Sequence, residues 1–331
     1  MKADYINNGD TIYLVAPSFG CVTSPYKKRL EKSINNFKAL GYKVIEGDNI
    51  FKALGYASSN TKELRGKEIN DAFKSDAKVV LSVGGGEVMT EILPFVDFDI
   101  IKENPKWYVG FSDNTNLTYT ITTILDIETI YGNCAPSYYN LPLTYDRLDT
   151  FNLLEGKLEY KGYKKFQTTS TKKIFPDYEF NRNTKIINYN NFDILEGRLI
   201  GGCLDCLQVL CGTKFDKTKE YIKRHKEEGI IFFLEACDFN SVGVIRALTQ
   251  LKNSGWFDDV KGFIIGRSLN MNDKSFGINM IDAYINVLGD LNLPMLLNIS
   301  LGHINPSLPI RCGGYAKVEY KKHNIYITYK E

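Results

Sequence analysis

TIYLVAP (11–17), YKVIEG (42–47), AKVVLSVGGG (77–86) and KWYVGF (106–111) are short apolar runs, and the stretches between them are long enough for helices. SPYKKRLEKSINNFKALG (24–41) has helical periodicity and stops at Gly41. TKELRGKEINDAFKS (61–75) reads as a second helix, and a third is expected from Ser112 to about Leu125. Strands alternating with helices of this length pair in parallel through right-handed crossovers. The fold class implied is α/β. Its N-terminal part is a doubly wound parallel sheet, flavodoxin- or Rossmann-like, with ligands expected at the carboxyl ends of the strands.

A chain of 331 residues suggests two domains. The predicted N-terminal α/β domain spans 1–142. Residues 143–192 are polar and irregular and read as a linker with a long loop or hairpin. A C-terminal α/β domain of mixed character is expected over 193–331. Its predicted strands include GIIFFLE (229–235) and VKGFIIG (260–266), its helices lie near 241–253 and 277–288, and KVEYKKHNIYITYK closes it as an antiparallel hairpin.

Composition excludes several classes of function. The formal charge is only +2, from 41 basic and 39 acidic residues, with no like-charge block suited to nucleic acid. No apolar run approaches the ~20 residues that span a bilayer. The first twenty residues lack the pattern of a secretory signal, so a cytoplasmic location is expected. Seven scattered cysteines argue against a disulfide framework. Cys203 and Cys206 form a C-x-x-C with no second pair at zinc-site spacing, so CLDCLQVLC reads as buried thiols on a core helix.

YVGFSDNTNLTYT (108–120) is a strand end, a tight turn and a helix start. Ser112 sits where a nucleophile elbow would hold an exposed hydroxyl, although G-F-S-D-N lacks the second glycine of G-x-S-x-G. The alternative is that Ser112, Asp113 or Asn114 simply caps the helix. A nucleophilic serine needs a base. Of the three histidines, His225 lies among charges and His323 at a hairpin turn, whereas His303 follows an apolar strand in a loop with Gly302 and Pro306. The carboxylate to orient it is Glu235, which closes the apolar run GIIFFL, with Asp238 the runner-up. The glycines of SVGGGE (82–87) match no nucleotide-binding fingerprint. Their better functional use is a second oxyanion donor from Gly85 or Gly86, the alternative being a plain tight turn.

A larger pattern joins these residues. The strand running into Gly85-Gly86, then ILPFVDFDIIKENPKWYVGFSDNT (92–115), LEGRLIGGCLDCLQVLCGT (195–213), FFLEACD (232–238) and GHINPSLPI (302–310) occur in one order. This order resembles the serine peptidases that include LD-carboxypeptidase (muramoyltetrapeptide carboxypeptidase) and the microcin C immunity hydrolase. The resemblance covers about residues 10 to 320. It implies a Ser–Glu–His triad of Ser112, Glu235 and His303. The serine and histidine fall on different predicted domains, so a cleft between the domains is the expected pocket, with backbone N–H groups of Asp113 and of Gly85 or Gly86 as the expected oxyanion hole. It also implies a homodimer, a cytoplasmic location, and no metal or cofactor. Arg267, ending FIIGR, is a candidate for a substrate carboxylate; a surface ion pair is the alternative.

The carboxypeptidase branch usually carries an arginine before the double glycine, where this chain has Val83 and Gly84. The polar insert at about 155–192 also looks longer, as in the microcin-immunity branch. Two substrates are therefore expected: a murein peptide losing a terminal D-amino acid, or a peptidyl-nucleotide. A different class, a noncatalytic two-lobed small-molecule binding protein, would share the architecture but would not react with a fluorophosphonate serine probe.

Overall fold

The computed structural model describes residues 3–55, 57–168 and 173–331. It divides into two units. One comprises Met1–Lys157, Thr171–Asp177 and Pro309–Arg311; the other comprises Leu158–Ser170, Tyr178–Leu308 and Cys312–Glu331.

The first unit carries strands β1 (Thr11–Val15), β2 (Lys43–Glu46), β3 (Val79–Ser82), β4 (Trp107–Gly110) and β5 (Thr129–Tyr131). Helices α1 (Tyr26–Ala39), α2 (Lys62–Lys74), α3 (Phe98–Glu103), α4 (Thr115–Leu125) and α5 (Tyr145–Leu154) belong to the same unit. The strand order is β2-β1-β3-β4-β5, each pair parallel, so the sheet is doubly wound as expected. The order reverses between β1 and β3. The loops leaving their carboxyl ends are therefore where a ligand site is expected, and Ser112 follows the next strand along. β3 and β4 are buried throughout, which is why their sequences are continuous apolar runs. α4 is buried from Thr115 to Thr123. Its threonines are tolerated there because their hydroxyls bond back to the helix, Thr120 to the Asn116 carbonyl and Thr123 to that of Tyr119 at 2.9 Å.

The second unit holds β6 (Glu159–Lys161), β7 (Lys165–Phe166), β8 (Arg182–Asn183), β9 (Ile187–Tyr189), β10 (Ile194–Cys203), β11 (Ile230–Glu235), β12 (Val260–Gly266) and β13 (Met295–Ile299). Its helices are α6 (Leu204–Leu210), α7 (Thr218–Arg224), α8 (Ser241–Asn253) and α9 (Met280–Leu288). After β14 (Ile310–Cys312), which adds to the β5 edge of the first sheet, come β15 (Tyr315–Lys321) and β16 (Asn324–Tyr329). The second sheet runs β6-β16-β15-β10-β11-β12-β13-β9. Its centre, β10 to β13, is parallel, and antiparallel strands flank it on both sides, so it is mixed. His323 lies at positive φ in the turn between β15 and β16.

Two local expectations differ from the structure. The stretch 143–192 is not only a connection and loop: α5 lies in it, and β6 and β9 are sheet edges. Edge strands of three residues with one face exposed leave almost no apolar period to read. Residues 169–172 of that stretch lie outside the described residues. The thiols of CLDCLQVLC are not all on a core helix either: Cys203 ends β10, and Cys206 and Cys211 are partly exposed. Among the described residues no helix is long and apolar enough to cross a membrane.

One buried acid ties the loops after β1 and β2 to α2. Glu68 of α2 accepts from the Ala16 N–H at 2.7 Å and the Asn49 N–H at 2.8 Å. Burial nonetheless raises its carboxyl from 4.5 to about 7, against the pull of those bonds. A group whose folded value is raised stabilises the fold below its unfolded value, and that contribution is lost as pH rises through the folded one. Denaturant unfolding at pH 4.5 and pH 7.5 should therefore show wild type losing ~3 kcal/mol relative to Glu68→Gln across this window.

Candidate active site

β4 ends at Gly110, and the chain turns sharply so that Ser112 opens a short 3₁₀ turn (Ser112–Asn114) leading into α4. Ser112 sits at φ 63°, in the left-handed region that a residue with a Cβ seldom adopts. Its N–H donates to the Tyr131 hydroxyl at 3.1 Å. A Cβ on Gly85 would lie 3.0 Å from the Ser112 Cβ and 3.1 Å from its Oγ. The glycine is thus what lets the backbone after β3 approach this hydroxyl. Gly86, at φ 141°, is crowded instead by Ser18: a Cβ there would stand 2.3 Å from the Ser18 Oγ.

Helix capping is not what the Asn114 side chain does. Asn114 occupies the N-cap position of α4 but makes no side-chain capping bond. Its amide donates to the carbonyls of Gly84 at 2.9 Å and Phe111 at 3.0 Å, and its oxygen accepts from the Tyr108 hydroxyl at 2.5 Å. The buried carboxylate of Asp113 accepts from the Ser18 hydroxyl at 2.5 Å, the Met89 N–H at 2.9 Å and the Asn116 amide at 2.9 Å. Burial raises its pKa, and the same bonds oppose the rise. Asp113 and Asn114 therefore brace the turn from both sides and link it to the loops after β1 and β3.

In the second unit, Glu235 closes β11 and is wholly buried. His303 lies in the loop after β13, with its Nδ1 2.9 Å from Glu235 Oε2. Burial would lower the imidazole pKa, but the charge and hydrogen bond of Glu235, together with the Cys237 thiol, raise it well above the ordinary value. Gly302 makes the approach possible: it sits at φ 106°, and a Cβ there would lie 2.6 Å from Glu235 Oε2. Asp238, the runner-up acid, is exposed. His225 pairs with Glu228 at 3.3 Å, away from this loop.

Asp205 is a member that sequence reasoning missed. From the first turn of α6 its carboxylate accepts from the N–H groups of Cys237, Asp238 and Phe239, at 3.0, 3.0 and 3.2 Å. It fixes the loop that follows Glu235. The available signal was a lone acid inside the apolar run CLDCLQVLC.

Arg267 is not a surface residue. It is buried at the end of β12, its guanidinium carbon 3.6 Å from the centroid of the Phe166 ring, and it donates to Asn298 and Thr184. No carboxylate pairs with it among the described residues. Nor, among the described residues, does any cluster of three His, Cys, Asp or Glu side chains have the arrangement to hold a metal ion.

Comparison with known proteins finds a match for each of the two domains. Residues 12–132 match the family model of the LD-carboxypeptidase N-terminal domain, and residues 196–318 match that of the LD-carboxypeptidase C-terminal domain. The microcin C7 self-immunity protein MccF of Escherichia coli is 26% identical, with 97% of this chain and 93% of that protein aligned. A Bacillus subtilis protein named "Probable murein peptide carboxypeptidase" is also 26% identical, over 95% of this chain and 90% of that protein. The solved structure of MccF in complex with glutamyl sulfamoyl guanosine superposes with a TM-score of 0.85 at 25% identity, covering 99% of this chain and 98% of that one. The muramoyltetrapeptide carboxypeptidase from Oxalobacter formigenes shares the fold, with a TM-score of 0.74 at 21% identity over 97% of this chain and 99% of its own. Matched by both domain models in order, and aligned along nearly its whole length with these relatives, the chain belongs to the LD-carboxypeptidase family of serine peptidases.

Proposed function

We propose that the chain hydrolyses an amide bond of a small peptide or peptidyl-nucleotide through an acyl-enzyme on Ser112. The N-terminal unit supplies the nucleophile, and the C-terminal unit supplies His303 as base and Glu235 as the acid that orients it. The observation that carries this reading is the Glu235–His303 pair, a wholly buried carboxylate 2.9 Å from an imidazole Nδ1. A carboxylate so placed holds the proton on Nδ1 and leaves Nε2 to act.

Nε2 takes the Ser112 proton as Oγ attacks the carbonyl carbon. The C–N bond then breaks as the same proton passes to the leaving amine. Water, deprotonated in turn by His303, cleaves the ester and restores the serine. N–H groups of Asp113 and of Gly85 or Gly86 receive the oxyanion, a contribution of ~3 kcal/mol per donor to the barrier. The left-handed backbone at Ser112 supports the assignment, because nucleophile elbows store this kind of strain.

Of the two substrate classes we favour the peptidyl-nucleotide. The higher TM-score belongs to MccF, solved with an aminoacyl sulfamoyl nucleoside, and Val83-Gly84 replaces the arginine usual in the carboxypeptidase branch. Incubation with aspartyl sulfamoyl adenosine and with a murein tetrapeptide, followed by mass spectrometry, tests the choice. Cleavage of the nucleotide conjugate is expected. Release of a terminal D-amino acid from the tetrapeptide alone reverses it. If neither reacts and no acyl adduct on Ser112 can be trapped from cell extract, the hydrolase reading falls.

A further inference from the structure

The second unit contains a cavity of about 330 Å³ that the catalytic assignment does not use. Among the described residues its walls include three cationic side chains, Arg267, Arg182 and Lys185, and no Asp or Glu. Arg182 and Lys185 are exposed and Arg267 is buried, and a buried charge is normally paired.

Arg267 makes the imbalance acute. Its side chain is 2% exposed and held in a fixed pose: Nε donates to Asn298 Oδ1 at 3.0 Å, one terminal nitrogen to Asn298 O at 3.2 Å, and the plane stacks on Phe166. The other terminal nitrogen, Nη1, is buried with no hydrogen-bond partner among the described residues. A buried charged donor left unsatisfied is costly, and native structures keep few of them. Burial and the charge of Arg182 lower the Arg267 pKa to about 10, with no acid to offset them.

The remaining lining suits a small organic anion rather than a bare counter-ion. Ser268 and Tyr284, whose hydroxyls are 3.3 Å apart, offer polar contacts. Met271, Met280 and Ile281 supply an apolar wall, the last two from the first turn of α9, where the helix dipole also favours negative charge. The volume lies at the lower end of the range for small-molecule sites.

We infer that this cavity is an oxyanion-binding site, taking a small ligand whose phosphate or carboxylate group lies against the Arg267 guanidinium with Arg182 and Lys185 at its mouth. A planar guanidinium with an open N–H edge matches either group. The site adjoins the catalytic acid without containing it: Gly266, which lines the cavity, would place a Cβ 2.9 Å from the Glu235 Cβ. The inference needs no hydrolytic activity.

The test is calorimetric titration of the full chain at pH 7 with inorganic phosphate and, separately, with succinate, at ionic strength held constant with chloride. One saturable site is expected for at least one anion, and which anion binds identifies the headgroup. Arg182→Gln/Lys185→Gln, at two exposed positions where misfolding is not expected, should weaken binding at least tenfold, and Arg267→Met should abolish it. Ser112→Ala should bind as wild type does, which separates this site from the fate of the catalytic proposal. Failure of both anions to bind saturably overturns the inference, as does undiminished binding in the two arginine-site variants.

Discussion

Ser112→Ala is expected to lower kcat by at least about 10⁴-fold on whichever substrate the wild-type protein turns over, since loss of the nucleophile disables the whole catalytic unit. Its folding should be nearly unchanged. Ser112→Gly should be equally inactive, yet more stable than the alanine variant by about 1 kcal/mol, because glycine occupies φ 63° without the Cβ clash. Chemical denaturation of the two variants beside a turnover assay checks both halves. An alanine variant with wild-type turnover would remove Ser112 from the reaction. A glycine variant no more stable than the alanine one would show that the left-handed backbone carries no strain.

The second large effect concerns pH. His303 must be neutral to accept a proton, so kcat/KM should climb as pH rises through its pKa. Burial pulls that pKa down, but Glu235 and the Cys237 thiol together hold it above the ordinary 6.5, which puts the acid limb of the profile above pH 6.5. Glu235→Gln removes the larger of the two raising influences and leaves burial opposed only by the Cys237 thiol. The limb should then move to lower pH, and the plateau should fall ~10⁴-fold as the imidazole loses its preferred tautomer. A Glu235 that served only to hold the fold would lower the melting temperature without moving the limb. The pH–rate profiles of wild type and Glu235→Gln therefore distinguish orientation of the base from simple packing.

Much of this architecture could be read from the residues because buried parallel strands have no polar face to mask them. VVLS and IIFFLE are apolar up to their last residue, and both are buried throughout. The candidate triad was legible for a related reason: a polar residue at or just beyond the end of such a run needs an explanation, and Glu235 closes one run while Ser112 and His303 lie in the turns that follow two others. Three features were not legible, each because it depends on contacts distant in sequence. Ile310–Cys312 joins the first sheet beside β5, about 180 residues back along the chain, and no local period announces that pairing. Asp205 looks like any acid in a helical first turn until the loop after Glu235 folds onto it. Arg267 reads equally as a surface cation or a ligand contact, and only the stacked ring of Phe166, about 100 residues earlier, shows that it is buried.

The strand at Ile310–Cys312 bears on how the polypeptide reaches its native state. Arg311 on that strand is buried against Glu128 and lies over Trp107, so an internal ion pair of the first unit has one partner near the end of the chain. During synthesis the ribosome releases residues 1–157 long before residue 311 exists. Until then the nascent sheet has an open β5 edge and an acid at 128 awaiting its guanidinium. A protein truncated after the first unit's contiguous segment would carry that unfinished edge permanently, exposed to pairing with other chains.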